Sequence, residues 1–65
     1  MAGFDFRAVY KYRQRVRHIP SGEIGIIIRL ERGGVVVRLE ISGHTFPVTD
    51  PSEIEVYHEA DNSLV

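Results

Sequence analysis

Residues 23–41 read EIGIIIRLERGGVVVRLEI, two runs of mostly apolar, β-branched residues on either side of Gly33-Gly34. β-Branched residues favour strands, and two glycines between such runs are typical of a tight β-hairpin, because both tolerate the positive φ of a two-residue turn. With Gly33-Gly34 as the loop, Leu30 pairs with Val37. Apolar side chains then share one face of the hairpin.

A second turn at Ser42-Gly43 extends the same face by pairing Val37 with Val48. The two turns predict the same buried side, and a one-residue slip in either would turn that side to solvent. A three-stranded meander follows, with Pro47 on a short strand or a free edge because proline cannot donate to the ladder. The predicted interior comprises Ile26, Ile28, Leu30, Val37, Leu39, Phe46 and Val48, whereas Ile27, Val36 and Tyr57 are predicted to face outward.

Upstream, residues 4–18 alternate between apolar or aromatic and mostly polar side chains, which indicates a two-faced β-segment. Such a strand would span about 50 Å at roughly 3.3 Å per residue, so we expect it to break, to bulge or to extend beyond the domain. If it extends, Phe4, Phe6 and Tyr10 need a cover, and a second copy is the simplest one. Alternatively, Phe4 and Phe6 fold back over the end of the domain. A basic amphipathic helix within residues 5–17 is a third option.

Downstream, Asp50, Pro51 and Glu53 stand in the order of a capped helical turn. Only residues 54–57 remain before polar sequence, so we predict a short 3₁₀ connector into a last strand. Residues 58–65 are predicted to form a flexible tail.

The resulting order of elements resembles a Src-homology-3-like small β-barrel. Residues 22–27, GEIGII, are similar to the Gly-x-x-Gly-x-Val core of KOW-type modules. The resemblance covers residues 10–57 and implies an all-β, five-stranded barrel with a single 3₁₀ turn before the last strand, preceded by residues 1–9 as an extension or extra strand. Proteins of this broad group include RNA- and ribosome-contacting KOW domains, peptide-binding adaptors and small accessory subunits.

Composition limits the class of protein. The 65 residues suffice for one domain, near the size at which a chain is only marginally stable alone. The chain has no cysteine, no signal-peptide pattern and no apolar run near the roughly 20 residues of a membrane span, so we expect a cytoplasmic protein without a membrane partner. Residues 1–32 carry seven Lys/Arg against three Asp/Glu, and residues 33–65 carry one against six.

This asymmetry has two explanations: a basic surface for an anionic partner, or strands whose charges pair within the fold. Lys11, Arg13, Arg15 and Arg17 share one predicted strand face, with Tyr10 and Tyr12 on the other. Single-stranded nucleic acid would need aromatic and basic groups on the same surface. The last strand, with Glu53 and Glu55, is expected beside the first, where the charges would pair.

Catalytic, cofactor-binding and metal-ligating residues are not predicted. His18, His44 and His58 lack the spacing of a zinc or hydrolytic site. Ser42 and His44 lack a third group to orient a base.

The sequence therefore predicts a non-catalytic binding module, a small accessory or adaptor subunit that docks a larger protein or its own copy. One alternative is a KOW-like nucleic-acid or ribosome-associated module. A second alternative is an oligomeric enzyme whose site forms only between chains. The predicted partner-binding residues are Phe4, Phe6, Tyr10, Lys11, Arg13, Arg15 and Arg17.

Overall fold

Five antiparallel strands form one sheet in the computed structural model, which describes residues 3–58. Its elements in chain order are α1 (Phe6–Val9), β1 (Arg15–His18), β2 (Glu23–Glu31), β3 (Gly34–Leu39), β4 (Thr45–Val48), the 3₁₀ turn η1 (Pro51–Glu53) and β5 (Ile54–Val56). The strand order is β4-β3-β2-β1-β5, so β4 and β5 are the two edges. The predicted all-β class and the single 3₁₀ turn before the last strand are confirmed. No helix among residues 3–58 is long and apolar enough to cross a membrane.

The sheet is strongly curled. The ring centroids of His18 on β1 and Phe46 on β4 are 4.8 Å apart, although β2 and β3 lie between these strands. In a flat sheet three strand spacings would separate them by about 14 Å. Residues 3–58 contain no ladder between β4 and β5, so the closed barrel stays a prediction.

The β2–β3 turn differs from the predicted one. Val35 pairs with Leu30, not with Arg32, and Gly34 lies inside β3 rather than in the loop. A Cβ at position 34 would lie 2.7 Å from the carbonyl oxygen of Val48, so a close approach of the chain requires this glycine. The Gly-Gly pair therefore indicated a hairpin, but the loop lies at residues 32–33, one position earlier than predicted.

A β-bulge then exchanges the two faces of β2. The register shifts between Ile27 and Arg29, so that Ile27 pairs with Val37. A one-residue shift moves a strand's side chains to the opposite face. Ile27 is consequently fully buried, whereas Ile26 and Ile28 are half-buried on the outer face. The prediction was wrong for these three isoleucines.

The β3–β4 register is also displaced, but by an even number of residues. Val48 pairs with Val35, not with Val37, and residues 40–44 form a longer loop. Because a two-residue displacement preserves the face, Val37, Leu39 and Val48 are buried as predicted. Pro47 lies on the four-residue edge strand β4, as its missing donor led us to expect.

The N-terminal segment folds back over the sheet. Residues 3–14 contain no strand, so the prediction of a β-segment there was wrong. Phe6 and Tyr10 are 1% and 6% exposed, and the Phe6 amide donates to the carbonyl of Arg32. Phe4 remains 43% exposed and packs edge-to-face on Phe6 at 4.8 Å. The cover is therefore supplied by the chain itself and not by a second copy.

The interior joins this segment to all five strands. Asp50 accepts a hydrogen bond from the Ser52 amide at 3.0 Å, which confirms the predicted cap of η1 and directs β5 back beside β1. The predicted tail lies outside the described residues, apart from His58. The buried cluster consists of Phe6, Tyr10, Val16, Ile27, Val35, Val37, Leu39, Val48 and Ile54.

Candidate functional site

The seven predicted partner-binding residues do not form one ribbon. Phe6 and Tyr10 lie in the interior. Lys11 and Arg13 belong to a turn that precedes β1, and only Arg15 and Arg17 lie on a strand. These residues consequently separate into a buried pair, an exposed turn, a charged strand face and Phe4, which is 43% exposed beside Phe6.

Tyr10 has a structural task. Its hydroxyl donates to the carbonyl of Ile54 at 3.3 Å, and its ring stacks on that of Phe6 with centroids 6.0 Å apart. Burial, with a smaller contribution from the negative charge of Glu55, raises the pKa of Tyr10 above its usual value. The neutral phenol thus satisfies the outward carbonyl of Ile54 on β5.

Arg15 and Arg17 are held by carboxylates of the same fold. The Arg15 guanidinium donates twice to Glu40, at 2.8 Å from Nε and 2.8 Å from one terminal nitrogen. This hydrogen bonding, followed by the charge of Arg15, lowers the pKa of Glu40. Arg17 Nε donates to Glu55 at 2.7 Å, across the β1–β5 ladder. Internal pairing is therefore confirmed for Arg17 with Glu55, while Glu40, not a β5 carboxylate, binds Arg15.

The turn before β1 presents Tyr12 and Arg13 to solvent. The Gln14 amide donates to the Lys11 carbonyl at 3.0 Å, and the Gln14 side chain accepts from the Lys11 amide at 2.9 Å. Arg13 has a φ of 73°, a left-handed conformation that costs a non-glycine residue about 1 kcal/mol or more. Its guanidinium carbon lies 5.8 Å from the centre of the Tyr12 ring, which is 62% exposed. The predicted separation of tyrosine and arginine onto opposite faces does not occur here.

An apolar recess opens on the outer face of the sheet, beside this turn. Residues directly opposite each other in a ladder share a face, so Arg15, Ile26, Arg38 and Thr45 form one row across four strands. The bulge supplies half-buried isoleucines as the floor, and Arg13 and Arg38 stand at the rim. The recess has a volume of about 250 Å³ and is lined by Arg13, Ile26, Ile28, Arg38, Leu39 and Glu40.

The two rim arginines differ from those on β1 in their partners. Within residues 3–58, no carboxylate lies within ion-pair distance of Arg13 or Arg38. Arg29, farther along β2, pairs with Glu31 at 2.8 Å. The recess therefore combines an apolar floor with two positive charges that the described part of the fold leaves unneutralised.

A second concavity adjoins β4 on the same side of the sheet. Val36 and Pro47 are directly opposite each other, on the face that also carries Arg38 and Thr45. The concavity has a volume of about 410 Å³ and is lined by Arg29, Glu31, Gly33, Gly34, Val35, Val36, Pro47 and Thr49.

The outward backbone groups of β4 follow from its ladder. The Leu39 amide donates to the His44 carbonyl at 2.8 Å, so this pair belongs to the hydrogen-bonded class. In an antiparallel ladder the classes alternate, which turns the backbone of Thr45 and Pro47 away from β3. The free edge thus presents the Thr45 amide and carbonyl and the Pro47 carbonyl, and proline has no amide hydrogen to add.

A serine–histidine contact occurs away from the recess. Ser21 Oγ lies 2.8 Å from Nδ1 of His18, but it also accepts from the Glu23 amide at 3.3 Å, as in a turn. Nucleophilic catalysis needs a base oriented by a third group, and the described residues place no hydrogen-bond partner on the other ring nitrogen of His18. The Ser42 hydroxyl accepts from the His44 backbone rather than from its ring.

Residues 3–58 contain no group of three or more His, Asp or Glu side chains able to hold a metal ion. Tyr12, Ile26, Ile28 and Arg38 were absent from the predicted site. No residue pattern marks the bulge that brings the isoleucines outward, whereas Arg38 could have been found as a charged residue within an otherwise apolar strand.

Comparisons of the chain with protein-family models, with curated proteins and with solved structures give no match.

Proposed function

We propose that this chain is a non-catalytic binding module, an accessory or adaptor subunit that docks an acidic segment of a larger protein on the outer face of its sheet. The observation that carries the proposal is the recess in which Ile26 and Ile28 are half-buried beside Arg13 and Arg38. Neither arginine has a carboxylate partner within residues 3–58.

The two components of the recess favour a partner in different ways. Covering the remaining exposed surface of the isoleucines would stabilise a complex by about 25 cal/mol per Å² of apolar area. The unneutralised guanidiniums would attract acidic partners and repel basic ones, which contributes to association rate and specificity. Arg15 and Arg17 add little to this selection because Glu40 and Glu55 neutralise them.

Nucleic acid is the second candidate, and one observation favours it. Tyr12 and Arg13 stand together in solvent, as a stacking platform and a phosphate contact would. Glu40 and Glu55 neutralise Arg15 and Arg17 on the same side, however, and the net charge of the chain is −1. A polyanion needs several free cations along its backbone, whereas two suffice for a short acidic segment, so we place an acidic protein segment first.

A charge-reversal experiment tests the proposal. The immobilised chain is exposed to the proteome of its source, and retained proteins are compared between the wild type, Arg13→Glu combined with Arg38→Glu, and Arg7→Glu combined with Arg32→Glu. The second double variant is the matched control, because it makes the same charge change at exposed residues outside the recess.

We expect the wild type and the control to retain one partner equally. The recess variant, Arg13→Glu combined with Arg38→Glu, should retain at least tenfold less of it. Equal retention by all three proteins would refute docking at the recess. Salt-dependent retention of a single-stranded oligonucleotide, lost in the recess variant, would instead favour the nucleic-acid candidate.

A further inference from the structure

We infer that the docked partner also adds a strand to the sheet, antiparallel to β4, with an acidic side chain opposite Thr45 and an apolar side chain opposite Pro47. This inference rests on the proposed function and specifies the chemistry of the partner. It requires a segment in which an apolar residue precedes an acidic residue by two positions.

The two edges of the sheet are not equally available. On β5, the Ile19 amide donates to the Glu53 carbonyl and the Tyr57 amide to the Arg15 carbonyl, so the alternation turns the backbone of Ile54 and Val56 outward. Tyr10 occupies the Ile54 end of that edge, with its hydroxyl on the Ile54 carbonyl. Among the described residues, no side chain hydrogen-bonds the outward backbone groups of Thr45 and Pro47, so both outward residues of β4 are available.

The free groups on β4 fix the register of an added strand. A residue opposite Thr45 can both donate to its carbonyl and accept from its amide, whereas a residue opposite Pro47 can only donate to a carbonyl. An antiparallel segment thus gains three backbone hydrogen bonds. Its residue opposite Pro47 lies two positions before the one opposite Thr45.

The side chains on the outer face determine specificity. Arg38, which lines the recess toward β2, is directly opposite Thr45, and a change of its rotamer would carry the guanidinium over the short threonine. A residue added beyond Thr45 would have its Cβ roughly 10 Å from that of Arg38, twice the usual strand spacing. Arginine and glutamate side chains together reach across that distance, so the charge of Arg38 selects an acidic residue there.

The neighbouring outward position of the segment meets an apolar surface. A residue opposite Pro47 would lie at the border of the 410 Å³ concavity that contains Val36 and Pro47. An aliphatic side chain would fill part of it without leaving a polar group unpaired. The outer face consequently contacts both the acidic and the apolar residue of the segment, because residues two positions apart face the same side of the extended sheet.

The probe is the peptide acetyl-Thr-Thr-Val-Thr-Glu-Thr-Thr-amide, titrated into the ¹⁵N-labelled full chain and followed by NMR. We expect the Thr45 amide to shift and its hydrogen exchange to slow at least fivefold. Two control peptides carry lysine in place of glutamate, or an N-methyl group on the valine. The first loses the attraction of Arg38, and the second cannot donate to the Pro47 carbonyl.

Arg38→Glu gives the complementary test on the protein. We expect it to weaken binding of the glutamate peptide about fivefold and to favour the lysine peptide, as expected for one exposed charge pair. Arg7→Glu, an equal charge change on α1, should leave both affinities unchanged. The amide spectrum of each variant verifies that it is folded.

Two outcomes overturn strand addition. One is equal binding of the N-methylated peptide with shifts confined to Arg13, Ile26 and Ile28, which would leave docking in the recess intact. The other is an unchanged Thr45 amide at millimolar peptide. The proposed function fails separately, if the double charge reversal at Arg13 and Arg38 does not reduce partner retention.

Discussion

The two edges of the sheet are finished in different ways. At β5, the buried Tyr10 of the N-terminal segment places its hydroxyl on the outward Ile54 carbonyl, beside the outward backbone of Val56. At β4, one proline removes a single donor, and the rest of the outward backbone has no partner among the described residues. Free strand edges invite pairing with another chain, and natural proteins cover or interrupt them.

The difference indicates what determines the docking edge. Both edge strands are short, with four residues in β4 and three in β5, so strand length does not distinguish them. The distinction comes from Tyr10 of the N-terminal segment, whose hydroxyl binds the Ile54 carbonyl on β5, whereas the segment makes no such hydrogen bond to the outward backbone of β4. Changes in this segment should therefore alter the number of edges that are open.

Phe6→Ala is the change with the largest expected effect on the difference between the β4 and β5 edges. Phe6 is 1% exposed and carries the stacking contact that positions Tyr10. Truncating a buried phenylalanine costs about 3–5 kcal/mol, which is comparable to the whole stability of a domain of this size. We expect urea denaturation to show a mostly unfolded protein. If the variant stays folded, hydrogen exchange should be faster at the Tyr57 amide, which donates to the Arg15 carbonyl at 3.1 Å.

Phe4→Ala is the matched control for Phe6→Ala. Phe4 is 43% exposed, so its truncation should reduce the free energy of unfolding by about 1 kcal/mol or less. Equal losses for the two variants would contradict the role of Phe6 as the anchor of the segment.

Tyr10→Phe tests the cover with a smaller change. It removes the hydrogen bond to Ile54 and leaves that carbonyl unsatisfied, at a cost of about 1 kcal/mol at neutral pH. The pKa of Tyr10 is raised in the fold, so the folded state holds the phenolic proton more tightly than the unfolded chain. Its contribution is complete below the unfolded pKa of about 10 and is lost as the pH rises through the folded pKa.

Denaturation of the wild type and Tyr10→Phe between pH 8 and 11 measures this contribution. The wild type should be the more stable protein at pH 8, and the difference should shrink above about pH 10. A difference independent of pH would show that the phenol proton is not linked to folding.

The Arg17–Glu55 pair joins β5 to β1 and contributes less stability than the aromatic contacts of Phe6 and Tyr10. Both side chains are more than 40% exposed, and exposed pairs contribute about 0.5 kcal/mol. A double-mutant cycle with Arg17→Ala and Glu55→Ala should give a coupling energy of this size, reduced by 1 M salt. A coupling above about 2 kcal/mol would mean that this pair, and not the aromatic cover, holds the β5 edge.

The sequence predicted the buried face correctly wherever the strand register was displaced by an even number of residues. Both hairpin registers were displaced by two residues, which left the same side chains inside, so Val37, Leu39 and Val48 were identified as core residues. The bulge in β2 introduced an odd shift and reversed Ile26 and Ile27. Three consecutive isoleucines carry no signal of which one faces inward, because they are chemically identical.

The even spacing of the aromatic residues also explains why a strand was wrongly predicted near the N-terminus. Phe6 and Tyr10 are four residues apart, a separation that places side chains on one side of either a strand or a helical turn. The alternation was therefore compatible with both structures. The turn at Arg13 then depends on a left-handed residue that is not glycine, which sequence patterns do not predict.

The predicted site was misplaced because the bulge in β2 and the turn at Arg13 were not predicted. Pairing of Arg17 with a β5 glutamate was predictable because it needed only the neighbouring positions of the first and last strands. The recess between Arg13 and Arg38 required the bulge and the turn together. It could be located only once the backbone path was known.

Pro47→Ala is the smallest change and tests the β4 edge directly. The variant regains an amide hydrogen on the free edge, so Thr45 and residue 47 of two chains could exchange hydrogen bonds in an antiparallel pair. We expect the free energy of unfolding to fall by only about 0.5 kcal/mol, because alanine increases the freedom of the unfolded chain. Self-association should rise, measured by sedimentation over a wide range of protein concentrations.

Pro20→Ala supplies the control, because it makes the same unfolded-state change at an exposed residue between β1 and β2. It should lose similar stability without additional association. If Pro47→Ala associates no more than Pro20→Ala, the missing donor is not what keeps β4 unpaired. The edge would then be protected by its short length or by the charge of Arg38 in both chains, since two β4 strands paired edge to edge would bring these arginines onto the same face.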